Sequence, residues 1–392
     1  MSKNRFAPFF PVALFVLLYS WSLSFGFLWD DSTELQGDLN HVLHRLQGHF
    51  RPIYYFSQLF LNQLTSEAYV NRLVNILLLG SAAYFAVKAA RKLEVPGSVI
   101  VVIAIFLHPT YVYPATWISQ RNDCYLLFFL FLALANIDRT RGFFYLLLSD
   151  ISKTPWVLQN IWYAVRKWRE PSSKWTAVGA LVVIPVIIGQ GVIFWDGIKS
   201  GSTSPMTQLD VEGFSAIVFT MFVGGAKIAE SIVLMHVPVT AFYGIVPIQG
   251  VIVIGLIYVA AWVAIIQQVY LDGWREKVSW NLLLLAVLMT IPFAANNDPR
   301  VFGPAIPFYF LFWAKSSVHV KSVKMAFVVI AVLNFGAVLL NYRISDTGAY
   351  DFINAPDYTL CGIHEMQFPM ERWRCDRSKI THEIVRRVNQ IF

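Results

Sequence analysis

Long apolar runs, separated by short clusters of charge, recur along most of this chain. An α-helix needs about 20 consecutive apolar residues to cross a bilayer. Only 14% of the 392 residues are charged, whereas soluble domains carry about 25%. The sequence therefore predicts an all-α polytopic membrane protein.

Eleven of the apolar runs are predicted to be membrane spans. Runs of about 17–25 residues qualify, and shorter runs are accepted where a proline or a cavity interrupts the helix. The fifth and sixth runs are too short on their own, so we expect them to form a broken or partly re-entrant pair. The predicted spans are 8–27, 71–88, 97–115, 124–137, 142–152, 155–167, 175–196, 249–271, 280–296, 301–314 and 323–342.

Lysine and arginine are concentrated in alternate loops, which places the N-terminus in the cytoplasm. A transmembrane domain is then expected over 1–342. It includes a first periplasmic loop at 28–70 and a periplasmic or re-entrant segment at 197–248. The remaining residues, 343–392, are predicted to form a small periplasmic tail. We expect the protein to lie in a membrane, surrounded by lipid.

Two of the three cysteines, Cys361 and Cys375, lie in the predicted tail. A periplasmic tail lies in an oxidising compartment, so the sequence predicts a disulfide between them. Two free thiols are the alternative.

The net charge of +7 lies largely in loops between apolar runs, so it predicts membrane orientation and not a nucleic-acid partner. The sequence contains neither a Walker A motif nor a Rossmann glycine pattern, which argues against a nucleotide-driven pump.

An acidic pair, Asp30 and Asp31, follows the first predicted span directly. A carboxylate at this place is suited to take a proton from an acceptor hydroxyl. The pair is equally suited to bind a divalent cation such as Mg²⁺ or Mn²⁺ through hard oxygen ligands. Capping of a surface helix is the structural alternative. The nearby histidines of the same loop are not expected to bind metal, because their spacing does not form a zinc motif.

Four cations are expected at the outer ends of spans: Arg51, Arg121, Lys153 and Arg300. Ionisable groups at membrane depth are costly and often functional. Together they would form a positively charged pocket suited to a phosphate. When no phosphate is bound, an acidic side chain such as Asp123 would neutralise part of this positive charge. Snorkelling of each cation toward lipid phosphates is the alternative.

The order of these elements resembles the GT-C class of membrane glycosyltransferases over about residues 8–315. Those enzymes take a sugar from a polyprenyl-phosphate carrier on the outer side of the membrane. Val301 and Phe302 replace the aromatic pattern that usually begins the last motif. The five short motifs that carry the resemblance are WDD, FRPIYY, ATWISQRND, SDISKTP and NDPRVFGPAIP.

Within the class, the chain looks most like bacterial and phage transferases that decorate O-antigen. The resemblance implies transfer of one sugar from an undecaprenyl-phosphate donor to a periplasmic glycan, with inversion. The large soluble domain of oligosaccharyltransferases is missing, which argues against transfer to peptide sequons. A protein acceptor such as pilin, a lipid-linked sugar flippase and an accessory protein without chemistry are the alternatives.

The resemblance also implies roles for individual residues. Asp31 or Asp30 would be the general base on the acceptor hydroxyl, and Arg121, Lys153 and Arg300 would bind the donor phosphate. The residues expected to contact substrate are Arg51, Tyr54, Trp117, Gln120 and Asp123.

The predicted topology gives a direct test. Reporter fusions after Lys92 and Arg169 should report a cytoplasmic location, and a fusion after Tyr350 should report a periplasmic one. A cytoplasmic signal at Tyr350 would change the number of spans by one and argue against the Cys361–Cys375 disulfide.

Overall fold

The computed structural model describes most of the chain up to residue 345. The statements below concern these residues only. They are 6–24, 38–48, 51–65, 67–116, 118–153, 157–168, 174–198, 232–233, 236–238, 242, 246–271, 279–294, 303–316 and 320–345.

The regular elements of the described residues are helical. Short 3₁₀ turns follow the first helix at Ser20–Ser24 and flank the sixth at Pro109–Tyr111 and Ile118–Gln120. The α-helices are α1 Phe9–Tyr19, α2 Leu39–Gly48, α3 Pro52–Leu64, α4 Ala68–Lys92, α5 Ser98–Phe106, α6 Val112–Thr116, α7 Arg121–Ala135, α8 Thr140–Asp150, α9 Gln159–Trp168, α10 Lys174–Ile198, α11 Ile248–Leu271, α12 Trp280–Ala294, α13 Ile306–Ser316 and α14 Val320–Ser345.

Three stretches of the described helices are long and apolar enough to cross a membrane: Ala68–Lys92, Ile248–Gln268 and Lys321–Leu339. A fourth span results if the bent pair Ser98–Phe106 and Pro109–Thr116 counts as one. These helices agree with the predicted all-helical membrane protein. The number of eleven spans stays a prediction.

The span predicted at 97–115 is not one straight helix, because the chain bends by 57° between α5 and the turn that leads into α6. Pro109 has no backbone N–H to donate, and it disfavours helical geometry at the residue before it. His108 accordingly has an extended ψ of 132°, and its ring accepts a hydrogen bond from the Thr110 N–H at 3.3 Å.

The fifth and sixth predicted spans correspond to two short helices, α8 and α9. A turn at 151–153, which includes Lys153, follows α8, and residues 154–156 lie outside the described ones. Neither helix reaches the ~20 residues needed to cross a bilayer alone.

Helix α4 lies at the centre of the bundle, against α1, α5 and α7. Small side chains let helices approach closely where lipid gives no hydrophobic driving force for association. The buried small residues of α4 are Gly80, Ala82, Ala83, Ala86, Ala89 and Ala90.

A chain of hydrogen bonds joins α5, α11 and α14 inside the apolar core. The Tyr258 hydroxyl donates to Asn334 Oδ1 at 2.8 Å, and Asn334 Nδ2 donates to the Ala104 carbonyl at 2.8 Å. The Asn334 side chain is fully buried. An apolar interior makes unpaired polar groups costly, so these bonds favour one arrangement of the three helices.

The substitution Asn334→Leu should lower stability, because it leaves the Tyr258 hydroxyl without its acceptor. We expect a loss of roughly 1 kcal/mol, since interhelical hydrogen bonds in membrane proteins contribute about 0.6 kcal/mol each on average and the substitution removes two of them. The measurement is thermal unfolding of purified protein in detergent. Val332→Ala removes an exposed side chain of the same helix and should leave the midpoint nearly unchanged. Equal midpoints for the two variants would contradict the role of Asn334.

Candidate active site

Arg121 begins helix α7, and its side chain is fully buried. Its guanidinium donates to Asn75 Oδ1 at 2.8 Å, to Gln58 Oε1 at 2.7 Å and to Asn71 Oδ1 at 2.8 Å. The acceptors come from α3 and α4, so Arg121 joins the first-loop helix to the bundle. Burial of a cation is costly unless hydrogen bonds replace its water shell, and amide oxygens do so here.

A second buried arginine, Arg72, lies in the first turns of α4. Its Nε donates to the Thr116 carbonyl at 2.6 Å, and its Nη1 donates to the Ser22 carbonyl at 3.4 Å. One helix turn further, Asn75 Nδ2 donates to the Pro114 carbonyl at 3.0 Å. The two side chains thus bind carbonyl groups at the end of α6 and in the turn after α1, where helical hydrogen bonding ends.

Asp123 and Lys153 form a buried ion pair, in which the Lys153 ammonium donates to Asp123 Oδ1. Their side chains are only 5% and 8% exposed, respectively. Asp123 lies in the first turn of α7, where the helix dipole favours a carboxylate. Lys153 lies in the turn after α8, so the pair connects that turn to the start of α7.

Asp150, the last residue of α8, also has a fully buried carboxylate. It accepts hydrogen bonds from Gln159 Nε2 at 2.8 Å and from Asn160 Nδ2 at 2.7 Å. Both donors belong to the first turn of α9. Asp150 therefore connects the two short helices and holds closed the turn that carries Lys153.

A small cavity lies beside the ion pair and is lined in part by Asp123. The Tyr111 hydroxyl donates to the Gly303 carbonyl at 2.9 Å and closes one side of it. Gly303 follows Arg300 by three residues in the sequence. The residues that line the cavity are Thr110, Tyr111, Pro114, Asp123, Leu127, Gly303 and Pro304.

The predicted site residues divide into two groups. Six are described, and the structure brings Arg121, Asp123 and Lys153 together around the first turn of α7. Gln120 is half-buried and directly precedes this turn. Arg51 is half-buried before α3, and Tyr54 is buried against Tyr55 and Val42. The predicted residues that lie outside the described ones are Asp30, Asp31, Trp117, Arg300, Cys361 and Cys375.

Five buried polar residues support this site but are not predicted from the sequence motifs. They are Arg72, Asp150, Gln58, Asn71 and Asn75. The sequence could have indicated a role for Arg72 and Asp150, since each is an ionisable residue inside or at the end of an apolar run. Gln58, Asn71 and Asn75 carry a weaker signal, because amides on a helix near the membrane surface are common.

The described residues contain no group of three or more His, Cys, Asp or Glu side chains that is arranged to bind a metal. The acidic pair predicted to bind a divalent cation lies outside these residues.

No protein-family model, curated protein or solved structure shows a significant match to this chain. The structure by itself assigns the chain to the class of α-helical proteins with candidate membrane spans. The resemblance to glycosyltransferases continues to rest on the five short motifs.

The ion pair gives a prediction about stability. Lys153→Met should cost about 3 kcal/mol or more, because removal of one partner leaves an uncompensated buried charge. The double variant Lys153→Met/Asp123→Asn should recover much of this loss, since neither charge remains. Unfolding in detergent of the wild type, both single variants and the double variant measures the coupling. Strictly additive losses would show that the two side chains do not act as a pair.

Proposed function

We propose that this protein is a membrane glycosyltransferase. It transfers one sugar from an undecaprenyl-phosphate-linked donor to a periplasmic glycan acceptor such as O-antigen, by inverting displacement. The active site faces the periplasm from a bacterial inner membrane. The observation that supports the proposal is the convergence of buried ionisable side chains at one end of the bundle. These are Arg72, Arg121, Asp123 and Lys153.

The placement of these charges favours an enzyme over a flippase. Arg72 lies in the first two turns of α4, and Arg121 and Asp123 lie in the first turn of α7. Charge at helix ends forms a site at the membrane boundary, whereas a transporter is expected to bind its substrate near the bilayer midplane. Arg121 and Lys153 belong to two of the motifs that resemble the glycosyltransferase class. Arg121 lies in the first turn of α7, and Lys153 is joined to the same turn through Asp123.

In the proposed reaction, Asp31 or Asp30 removes the proton of the acceptor hydroxyl as its oxygen attacks the anomeric carbon. The bond between that carbon and the phosphate oxygen breaks at the same time. The electron pair stays on the phosphate oxygen, so undecaprenyl phosphate leaves as an anion. Fixed positive charge stabilises it, the kind of electrostatic contribution that is usually the largest in catalysis.

The cations of the site contribute to phosphate binding in different ways. Lys153 is bound to Asp123, and in the proposal the donor phosphate competes with this carboxylate for the ammonium. Arg121 is held in one orientation by Gln58, Asn71 and Asn75, so its charge acts on the phosphate from a fixed position. Arg300 precedes the cavity-lining Gly303 in the chain and is proposed as the third cation.

A comparison of surface glycans from cells with and without the gene tests the function. We expect one added sugar residue per acceptor unit, which appears as a single hexose, pentose or deoxyhexose mass increment. Unchanged glycans together with a modified pilin would support the protein-acceptor alternative. Movement of labelled lipid-linked sugar across vesicles without transfer would support the flippase alternative.

Substitution of the acidic pair tests the mechanism. At least one of Asp30→Asn and Asp31→Asn should reduce the rate of glycan modification by roughly 10²–10⁴-fold, the usual effect of removing a positioned base. Asp138→Asn removes an exposed carboxylate elsewhere in the chain and serves as the matched control. Wild-type rates for both acidic-pair variants, at equal protein levels in the membrane, would refute the base assignment.

A further inference from the structure

The end of α4 opposite the candidate active site bears a patch of positive charge. Lys92, the last residue of α4, lies 20 residues after Arg72. A helix rises about 1.5 Å per residue, so the two lie roughly 30 Å apart, which is the thickness of the hydrocarbon core. Lys92 therefore lies at the other surface of the membrane in the proposed topology, and Asp138 joins it to the rest of the patch.

We name as the basic patch five side chains from three parts of the chain. Lys92 ends α4, Arg139 and Arg141 flank the start of α8, and Arg166 and Lys167 lie in the last turn of α9. Asp138 lies among them, and its carboxylate accepts a hydrogen bond from Lys92 Nζ at 2.6 Å. This bond lowers the pKa of Asp138, and the charges of Lys92, Lys167 and Arg166 lower it further.

As defined, the basic patch with Asp138 consists of five cationic side chains and one carboxylate, so these described residues carry a net positive charge. Arg139 and Arg141 are exposed. The Nε of Arg166 is buried and has no hydrogen-bond acceptor among the described residues. A buried donor without an acceptor is costly, so the patch is suited to an external anion with several oxygen atoms.

Exposed apolar side chains occur on both of the short helices that carry cations of the patch. Phe144 follows Arg141 by three residues on α8 and is 59% exposed. On α9, Lys167 is only 2% exposed and Arg166 is half-buried, while the exposed apolar side chains of the same turn are Val165 and Trp168, at 42% and 55%. Residues three apart in a helix are surface neighbours. On α8, Arg141 and Phe144 thus place exposed positive charge beside exposed apolar surface, an arrangement typical of the membrane interface.

We propose that the basic patch binds the phosphate headgroup of an anionic phospholipid, whose acyl chains lie along the exposed faces of α8 and α9. Basic pockets between membrane helices are suited to such headgroups, and juxtamembrane cations are attracted to anionic lipid. The apolar neighbours favour a lipid over free phosphate, because they give the acyl chains a surface to contact. This inference does not depend on the proposed glycosyltransferase activity.

Thermal unfolding of the purified chain in an uncharged detergent tests the proposal. Phosphatidylglycerol should raise the midpoint and stay bound in native mass spectrometry. Phosphatidylcholine with the same acyl chains and inorganic phosphate should have little effect. High salt should weaken the response to phosphatidylglycerol, because salt screens exposed charges. An equal response to phosphatidylcholine, or an equal response to inorganic phosphate, would overturn the proposal.

A pair of variants assigns the response to the patch. Arg139→Gln/Arg141→Gln should weaken phosphatidylglycerol binding by roughly 25-fold, at about fivefold for each cation near a membrane surface. Lys321→Gln/Lys324→Gln removes the same charge from exposed positions at the start of α14 and should retain wild-type binding. Equal losses in both double variants would indicate general attraction to the protein and overturn a specific site. The wild-type comparison of the two lipids decides the proposal even if a variant fails to fold.

Discussion

The guanidinium of Arg121 determines how three parts of this chain meet. It lies at the start of α7, and its hydrogen-bond acceptors come from Gln58 on the first-loop helix and from Asn71 and Asn75 on α4. The acceptors of a buried cation can move little, because each lost hydrogen bond leaves a desolvated donor without a partner and destabilises the fold. The loop helix is therefore held against the bundle, and the first turn of α7 is fixed beside the turn that carries Lys153.

The rest of the candidate site follows from this anchor. With the first turn of α7 in place, Asp123 meets Lys153, and Asp150 holds the turn between α8 and α9 by binding the amides of that second helix. Charge, carboxylates and a small cavity thus collect at one end of the bundle, while Lys92 of the basic patch lies about one membrane thickness from Arg72 along α4. In the two proposals, substrate chemistry takes place at the first end and lipid binding at the patch.

Sequence patterns anticipate the residue types at the site better than they anticipate the contacts. The apolar runs place Asp123 and Lys153 at span ends on the same side, and the structure joins them in an ion pair. The same patterns assign Arg121 to a donor phosphate, whereas in the structure it donates hydrogen bonds to the side-chain amides of Gln58, Asn71 and Asn75. Hydrophobic periodicity and composition do not predict these hydrogen bonds. The position of Gln58 along α3 does not specify which side chain of another helix it contacts. The proline after His108 is visible in the sequence, yet the predicted span at 97–115 ignores the bend that it causes.

By itself, the sequence determined that this chain is helical and apolar enough to enter a membrane. Backbone polar groups have no water to bind in hydrocarbon, so a long apolar run has to form a helix there. It also determined which ionisable residues fall at the ends of those helices. The tertiary structure alone decided their partners: Arg72 binds backbone carbonyls, Arg121 binds amides, and Lys153 binds a carboxylate. The physical reason is that buried charge is stabilised by groups distant in sequence, and only the packing of helices brings those groups within hydrogen-bond reach.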